Sequence, residues 1–386
     1  MRVRKLPLEP PLVLFPVIFA LALLFPGRAG AGDADYQFFP QPTLWPPGVH
    51  FELAQAPPPE QPAPQPPTPL EPERPKPEKP LEQLLLERGA ILLPHGVLQI
   101  EPSFEYAHFS TDRVAIAGFT VFEAIVIGTI RVDDIDRDIL TGTLTGRYGI
   151  LDRLQLDLRI PYIYRRDEEV LGVGTVDQRE RTIENNGIGD VEVSVSWQAL
   201  IGKGALPDVI VRAQARFPTG EDPFEIGFED VPGAPGAQRR IKEPATGNGF
   251  YGVGPGVTLV WRSDPVVYFV GTSYTFNLER DVGVESGTDF GTIDPGDTLE
   301  WLAGLNIALS ERVALSISFV DQIAGDTEQN GREVPGSSFN DGRLVLGTSV
   351  ALSPDVTLLV SAGAGLTDES PDFTFTISLP ITFKLF

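Results

Sequence analysis

The sequence predicts an all-β fold: an antiparallel transmembrane β-barrel of about twelve strands, with fourteen as the alternative, preceded by a disordered Pro-rich segment and a short helix. Three observations predict it. From Gly96 onward, segments of roughly ten residues alternate apolar and polar side chains, the period of a strand with one face in lipid. Short connections alternate with long polar ones along the same stretch. No apolar run after residue 31 is long enough to cross a membrane as a helix. Hydrophobic residues make up 42 % of the chain, an ordinary soluble-like fraction, which a barrel permits because only one face of each strand is apolar.

The elements follow in chain order. Arg2, Arg4 and Lys5 precede a short apolar segment over 11–25, and Ala29 and Ala31 flank Gly30 as the small residues of a cleavage site. This pattern predicts a signal peptide over 1–31 and export from the cytoplasm. Residues 32–80 include "QAPPPEQPAPQPPTPLEPERPKPEKP", which predicts an extended, disordered linker on the periplasmic side. Over 81–95, Leu81, Leu84, Leu85 and Leu86 predict one stripe of a short helix that Gly89 stops. Its expected place is the mouth of the barrel, as packing or as a plug. The barrel itself is expected over 96–386.

Within the barrel, "LQLDLRIPYIYR" sets Leu154, Leu156, Leu158, Ile160, Tyr162 and Tyr164 against Gln155, Asp157, Arg159 and Arg165. "DVEVSVSW" sets Val191, Val193, Val195 and Trp197 against Glu192, Ser194 and Ser196. Strand interiors carrying such charges suit a wet or ion-paired lumen better than a buried core. The candidate lumen-lining residues are Arg159, Arg165, Glu192, Arg212, Arg216, Arg262, Glu300 and Arg343. Ser, Thr and Gly line the rest, with Gly252, Gly254 and Gly256 expected to face inward together. The long polar loops are expected at about 167–187, 219–246, 280–296 and 325–341. Thirteen segments show the strand period, and an even number is required if both barrel ends are periplasmic. The least settled stretch is "RVAIAGFTVFEAIVIGTIRV" over 113–132.

Aromatic residues near strand ends predict interfacial girdles: Tyr148, Tyr164, Trp197, Phe217, Tyr251, Trp261, Tyr268 and Trp301. "PDFTFTISLPITFKLF" is a strand that runs to the last residue. A closing strand must pair with the first. Phe383, Leu385 and Phe386 resemble the C-terminal signal read by the barrel assembly machinery, although Phe386 falls off the apolar register.

The net charge is −23, which disfavours nucleic acid as a partner. Acidic runs such as "RRDEEV" and "DDIDRD" read as solvated connections. The chain has no Cys, so thiol nucleophiles and thiolate metal sites are excluded. No segment has EF-hand spacing, and neither a metal nor another cofactor is expected. The only histidines are His50, His95 and His108. His108 stands beside Ser110 with no orienting partner evident in the sequence, so a lipid-modifying enzyme is the remote alternative and no catalytic residue is assigned.

"GIGDVEVSVSW" (187–197), "ARFPTGED" (215–222) and "TGNGFYGVGPGVTLVW" (246–261) resemble the strand–loop–strand core of an outer-membrane family associated with the meta pathway of phenol degradation. The resemblance spans roughly 97–386, and "LEQLLLERGAILLPHGVLQIEPSFEY" (81–106) resembles the lead-in of one subgroup. It implies a barrel in the bacterial outer membrane, in contact with lipid and lipopolysaccharide, that passes small apolar or aromatic solutes. It transfers no functional residue. A structural, envelope-tethering barrel with a salt-bridged lumen stays open as the other reading.

Overall fold

Alternation of apolar and polar side chains gives each strand two chemically different faces, and closing the sheet sends one face to the lipid and the other to the lumen. The computed structural model describes residues 79–111, 119–121, 125–127, 134–171, 179–203, 205–226, 228–230, 239–285 and 288–385. The predicted leader, the Pro-rich segment up to residue 78 and Phe386 lie outside the described residues.

Twelve antiparallel strands form one closed sheet. They are β1 (Val97–Thr111), β2 (Asp134–Leu151), β3 (Leu154–Leu171), β4 (Arg179–Ile188 and Val191–Leu200), β5 (Asp208–Phe217) and β6 (Gly252–Ser263). They continue as β7 (Val266–Asn277), β8 (Thr298–Ala308), β9 (Val313–Ala324), β10 (Phe339–Ala351), β11 (Thr357–Gly365) and β12 (Phe373–Ser378 and Ile381–Lys384). Each pairs with its sequence neighbours, and β12 returns to β1 through Phe104↔Ile377 and Gln99↔Thr382. The last strand therefore closes the sheet, and no barrel edge is left unpaired.

The strand count settles at twelve because the described pieces of 113–132 do not enter the barrel sheet. Phe119–Val121 pairs only with Ile125–Ile127, while β1 pairs directly with β2 from Leu98↔Tyr148 to Thr111↔Ile135. Short turns such as Asp152–Arg153 and Asp264–Pro265 lie at one end, the turn end, and the long connections lie at the other, the loop end.

Two polar stretches read as solvated connections are strand instead. Residues 165–170 continue β3, and Asp136 and Asp138 belong to β2, with Arg165↔Asn185 and Asp138↔Arg166 in register. Most of the expected loop over 167–187 is thus paired sheet. A strand needs an apolar outer face only within the apolar belt, so these polar ends continue the sheet beyond that belt. The later loops also carry their own strands. Arg280–Glu285, Thr288–Asp294, Glu328–Gln329 and Arg332–Glu333 form a small sheet. A separate apolar cluster of Phe224, Phe250, Val282, Phe290 and Ile293 binds the loops together, with the Arg280 guanidinium 5.7 Å from the ring centres of Phe224 and Phe250.

A continuous belt of exposed apolar side chains marks the outer face, among them Phe104, Leu144, Leu158, Val195, Val211, Leu346 and Ile377. Their neighbours along each strand point inward and are mostly polar: Gln99, Thr143, Thr145, Asp157, Ser196, Ser316, Ser349 and Thr374 are buried. No described helix is long and apolar enough to cross a membrane.

Candidate functional site

The lumen has two unlike halves. On β1 to β5 the inward rows are charged. Arg147 reaches Gln99 Oε1 at 2.9 Å and pairs with Glu101. Arg165 holds Asp167 at 2.6 Å, and Arg137 reaches the same carboxylate at 3.2 Å. Arg212 hydrogen-bonds Ser196 Oγ at 3.2 Å and stands 3.9 Å from Asp157. Arg216 donates to Asn277 Oδ1 at 2.6 Å. Charges removed from bulk water survive only when paired in this way. On β6 to β12 many inward positions are small, including Gly252, Gly256, Gly271, Ser316, Gly347, Ser361 and Gly363.

The pair Arg159–Glu192, 3.8 Å apart, departs from this burial. Its side chains are 55 % and 48 % exposed although both lie on inward rows. Water therefore reaches this part of the lumen.

The turn end is filled. Helix α1 (Lys79–Glu87) lies against the inner faces of β8 to β11. Leu85 packs with Val260, Val267 and Phe269, and Leu84 packs with Ala314 and Leu359. Leu81 contributes to both clusters. Ala90 N–H donates to Leu85 O at 2.7 Å and Gly89 N–H to Leu86 O at 3.0 Å, the Schellman arrangement that ends a helix on a left-handed glycine. The chain beyond the helix is also fixed, through Leu93 N–H to Gln155 Oε1 at 2.7 Å. Glu87 and Arg88 face a narrow space bounded by Ser316, Gly347, Leu359 and Ser361. Burial pushes the Glu87 carboxyl above its ordinary range. Arg88 and Arg147 oppose that shift, while Glu101 and Glu105 add to it.

The other sequence candidates have these places. Glu300 lies inward between Ser273 and Gln322, and Arg343 lies inward 3.0 Å from Asp341. Arg262 sits at the turn end, 57 % exposed and 2.6 Å from Asp208. Tyr148, Trp197, Trp261 and Tyr268 lie on outward rows near the turn end, where Trp261 and Tyr268 are cross-strand partners. Phe217, Tyr251 and Trp301 lie outward near the loop end, and the Phe217 and Tyr251 rings meet edge to face at 6.2 Å. Tyr164 faces outward higher on β3. Phe383 and Leu385 are exposed at the end of β12.

His108 does have an orienting partner. It stands opposite Asp138 in the β1–β2 register, its Nδ1 is 2.8 Å from Asp138 Oδ1, and Tyr106 OH donates to the same oxygen at 2.7 Å. The sequence hides this because the two residues are thirty apart. The Ser110 backbone N–H donates to Asp372 instead.

The three motifs singled out in the sequence meet at the loop end. Asp190 Oδ1 accepts from Gly220 N–H at 3.1 Å, and its Oδ2 accepts from Asn248 N–H at 3.0 Å. Thr246 Oγ1 accepts from Glu221 N–H at 2.9 Å and donates to Ile188 O at 3.1 Å. This brace sits where β4 is interrupted. Sequence reasoning missed the apolar inner wall of Val260, Val267 and Phe269. Its signal was available: "VVYFVG" is apolar on both faces, which a lipid-facing strand does not require.

No family model matches the chain. Among solved structures, an outer membrane channel from Pseudomonas putida F1 aligns with a TM-score of 0.53 and 12 % identity, over 76 % of this chain and 97 % of that one. The fold is that of an outer-membrane β-barrel. Two further similar barrels are more distant. The transport unit of the autotransporter AIDA-I from Escherichia coli has a TM-score of 0.38 and 9 % identity, covering 79 % of this chain and 97 % of that one. The Ralstonia pickettii toluene transporter TbuX has a TM-score of 0.35 and 8 % identity, covering 76 % and 90 %. At such identities the likeness is one of fold.

Proposed function

We propose that this chain is a bacterial outer-membrane channel for small solutes, apolar or aromatic ones included, and that α1 closes it at the turn end. The exposed Arg159–Glu192 pair inside the wall carries the reading, since a lumen built only to be filled would not leave these charges half in water. The turn end is assigned to the periplasm, following the sorting of short turns and long loops in such barrels. The belt meets lipid and lipopolysaccharide, and Phe383 and Leu385 present the outward row offered to the assembly machinery. The charged half of the lumen sets selectivity, and the small-residue half provides space. We assign no enzymatic role. The P. putida neighbour is itself described as an outer membrane channel, which agrees with this reading.

Single-channel conductance in planar bilayers tests it, comparing the chain from residue 32 with one that lacks 32–95. The expected result is little current in the first and clear current in the second. Silence in both, with heat-shifted gel mobility showing a folded barrel, overturns the channel. That outcome favours a structural barrel, for which the Arg137–Asp167–Arg165 and Arg147–Glu101 pairs already supply two ion-paired clusters.

A further inference from the structure

The inner wall beneath α1 departs from the rest of the lumen. Val260, Val267, Phe269, Ala314 and Leu359 are all buried there, in a barrel whose inward rows are otherwise mostly polar or small, with single apolar exceptions such as Ile163 and Ile210. Polar side chains stand in the same place: Ser316 and Ser318 on β9, and one amide. Asn306 on β8 shares an inward row with Val267 and Ser316, its cross-strand partners. It is 0 % exposed, and neither its amide nitrogen nor its amide oxygen meets a protein hydrogen-bond partner.

We infer that this wall is a binding site for a small molecule with an apolar body and one hydrogen-bonding group, and that Leu81, Leu84 and Leu85 of α1 occupy it in the closed state. The inference rests on the channel reading and names a guest for it. Leucine fills the apolar part of the site well, but it has neither donor nor acceptor for Asn306. A buried amide left unpaired disfavours the docked arrangement by roughly tenfold or more. A guest with a hydroxyl can give to the amide oxygen or accept from the amide nitrogen while its apolar body replaces a leucine. The helix is a tethered competitor for this wall, held beside it through Leu93 and Gln155, so a guest must displace it from high local concentration. Displacement uncovers the turn end, and binding and opening become one event.

The chain has no cysteine, so Leu85→Cys places a single thiol under the wall. The rate of its labelling by a small maleimide, in the refolded chain from residue 32, reports undocking. The probes are cyclohexanol and methylcyclohexane, alike in size and differing in the hydroxyl. Cyclohexanol is expected to accelerate labelling saturably, at a concentration about five- to tenfold below that needed for methylcyclohexane. Asn306→Leu is expected to erase that difference. If that variant does not fold, the two probes on the Asn306 chain decide the matter alone. Equal potency of the two probes, or no acceleration by either, overturns the inference. Current through the chain lacking 32–95 without any probe effect keeps the channel and removes the site. A cyclohexanol effect without current keeps the site and removes the channel.

Discussion

Gly89 ends α1 against Arg212: a Cβ built on Gly89 would stand 2.8 Å from the Arg212 Nη2 atom. Gly89 is also left-handed, at φ +64°. The carbonyl end of a helix carries partial negative charge, so the guanidinium on the β5 wall complements it. Gly89→Ala is therefore expected to loosen the plug, through about 1–2 kcal/mol of left-handed strain and displacement of the Arg212 tip. The Leu85→Cys labelling rate should rise roughly tenfold. An unchanged rate would show that α1 does not depend on its cap for docking.

The plug should loosen as pH rises. Glu87 on α1 is raised by burial, with Glu101 and Glu105 adding to the effect and Arg88 and Arg147 opposing it. A carboxyl whose pKa is higher in the docked state binds its proton more tightly there. Its contribution to docking is complete below the ordinary carboxylate range and is lost as pH rises through the raised value. Thiol labelling, corrected for maleimide reactivity with a free thiol, should quicken across that window. Glu87→Gln should flatten the profile; a profile that persists in Glu87→Gln assigns the dependence to another group.

How far the sequence carried depended on which physics set each feature. Lipid imposes strict alternation, so Leu154 to Tyr164 showed both their strand and their outward face. The expected lumen charges came from the same register. Pairing across strands is invisible to it. Arg147 and Glu101 meet because β1 and β2 are adjacent, and Asp138 finds His108 in the same way. The run 113–132 had strand composition, yet its described pieces pair only with each other. Polar strand ends such as Arg165 to Glu169 looked like loop because lipid no longer constrains them.

Arg147 is the test of the charged wall. Its side chain and that of Glu101 are 11 % and 7 % exposed, and Arg147 also donates to Gln99. Arg147→Leu leaves Glu101 buried without its partner, which should cost about 3 kcal/mol. Urea titration followed by heat-dependent gel mobility reads that loss. The double variant Arg147→Leu with Glu101→Gln should recover most of it, since no buried charge is then stranded. No recovery would mean that Arg147 acts by packing and not by charge.

The brace at the interruption of β4 should hold the loop end without carrying the barrel. Asp190 satisfies the backbone N–H groups of Gly220 and Asn248, so Asp190→Ala leaves two donors unpaired, at about 1–3 kcal/mol each where water cannot reach them. Gly247→Ala attacks the same joint sterically, because its Cβ would stand 2.6 Å from Asp190 Oδ1 and 2.7 Å from Gly220 Cα. Neither change touches the ladders that close the sheet, so the urea midpoint of the barrel should barely move. Local opening should instead rise, and limited proteolysis within 218–251 should quicken by about tenfold. Faster cleavage with an unchanged midpoint makes the three motifs a loop-end clamp. A midpoint that falls along with it would make them part of the barrel's own stability.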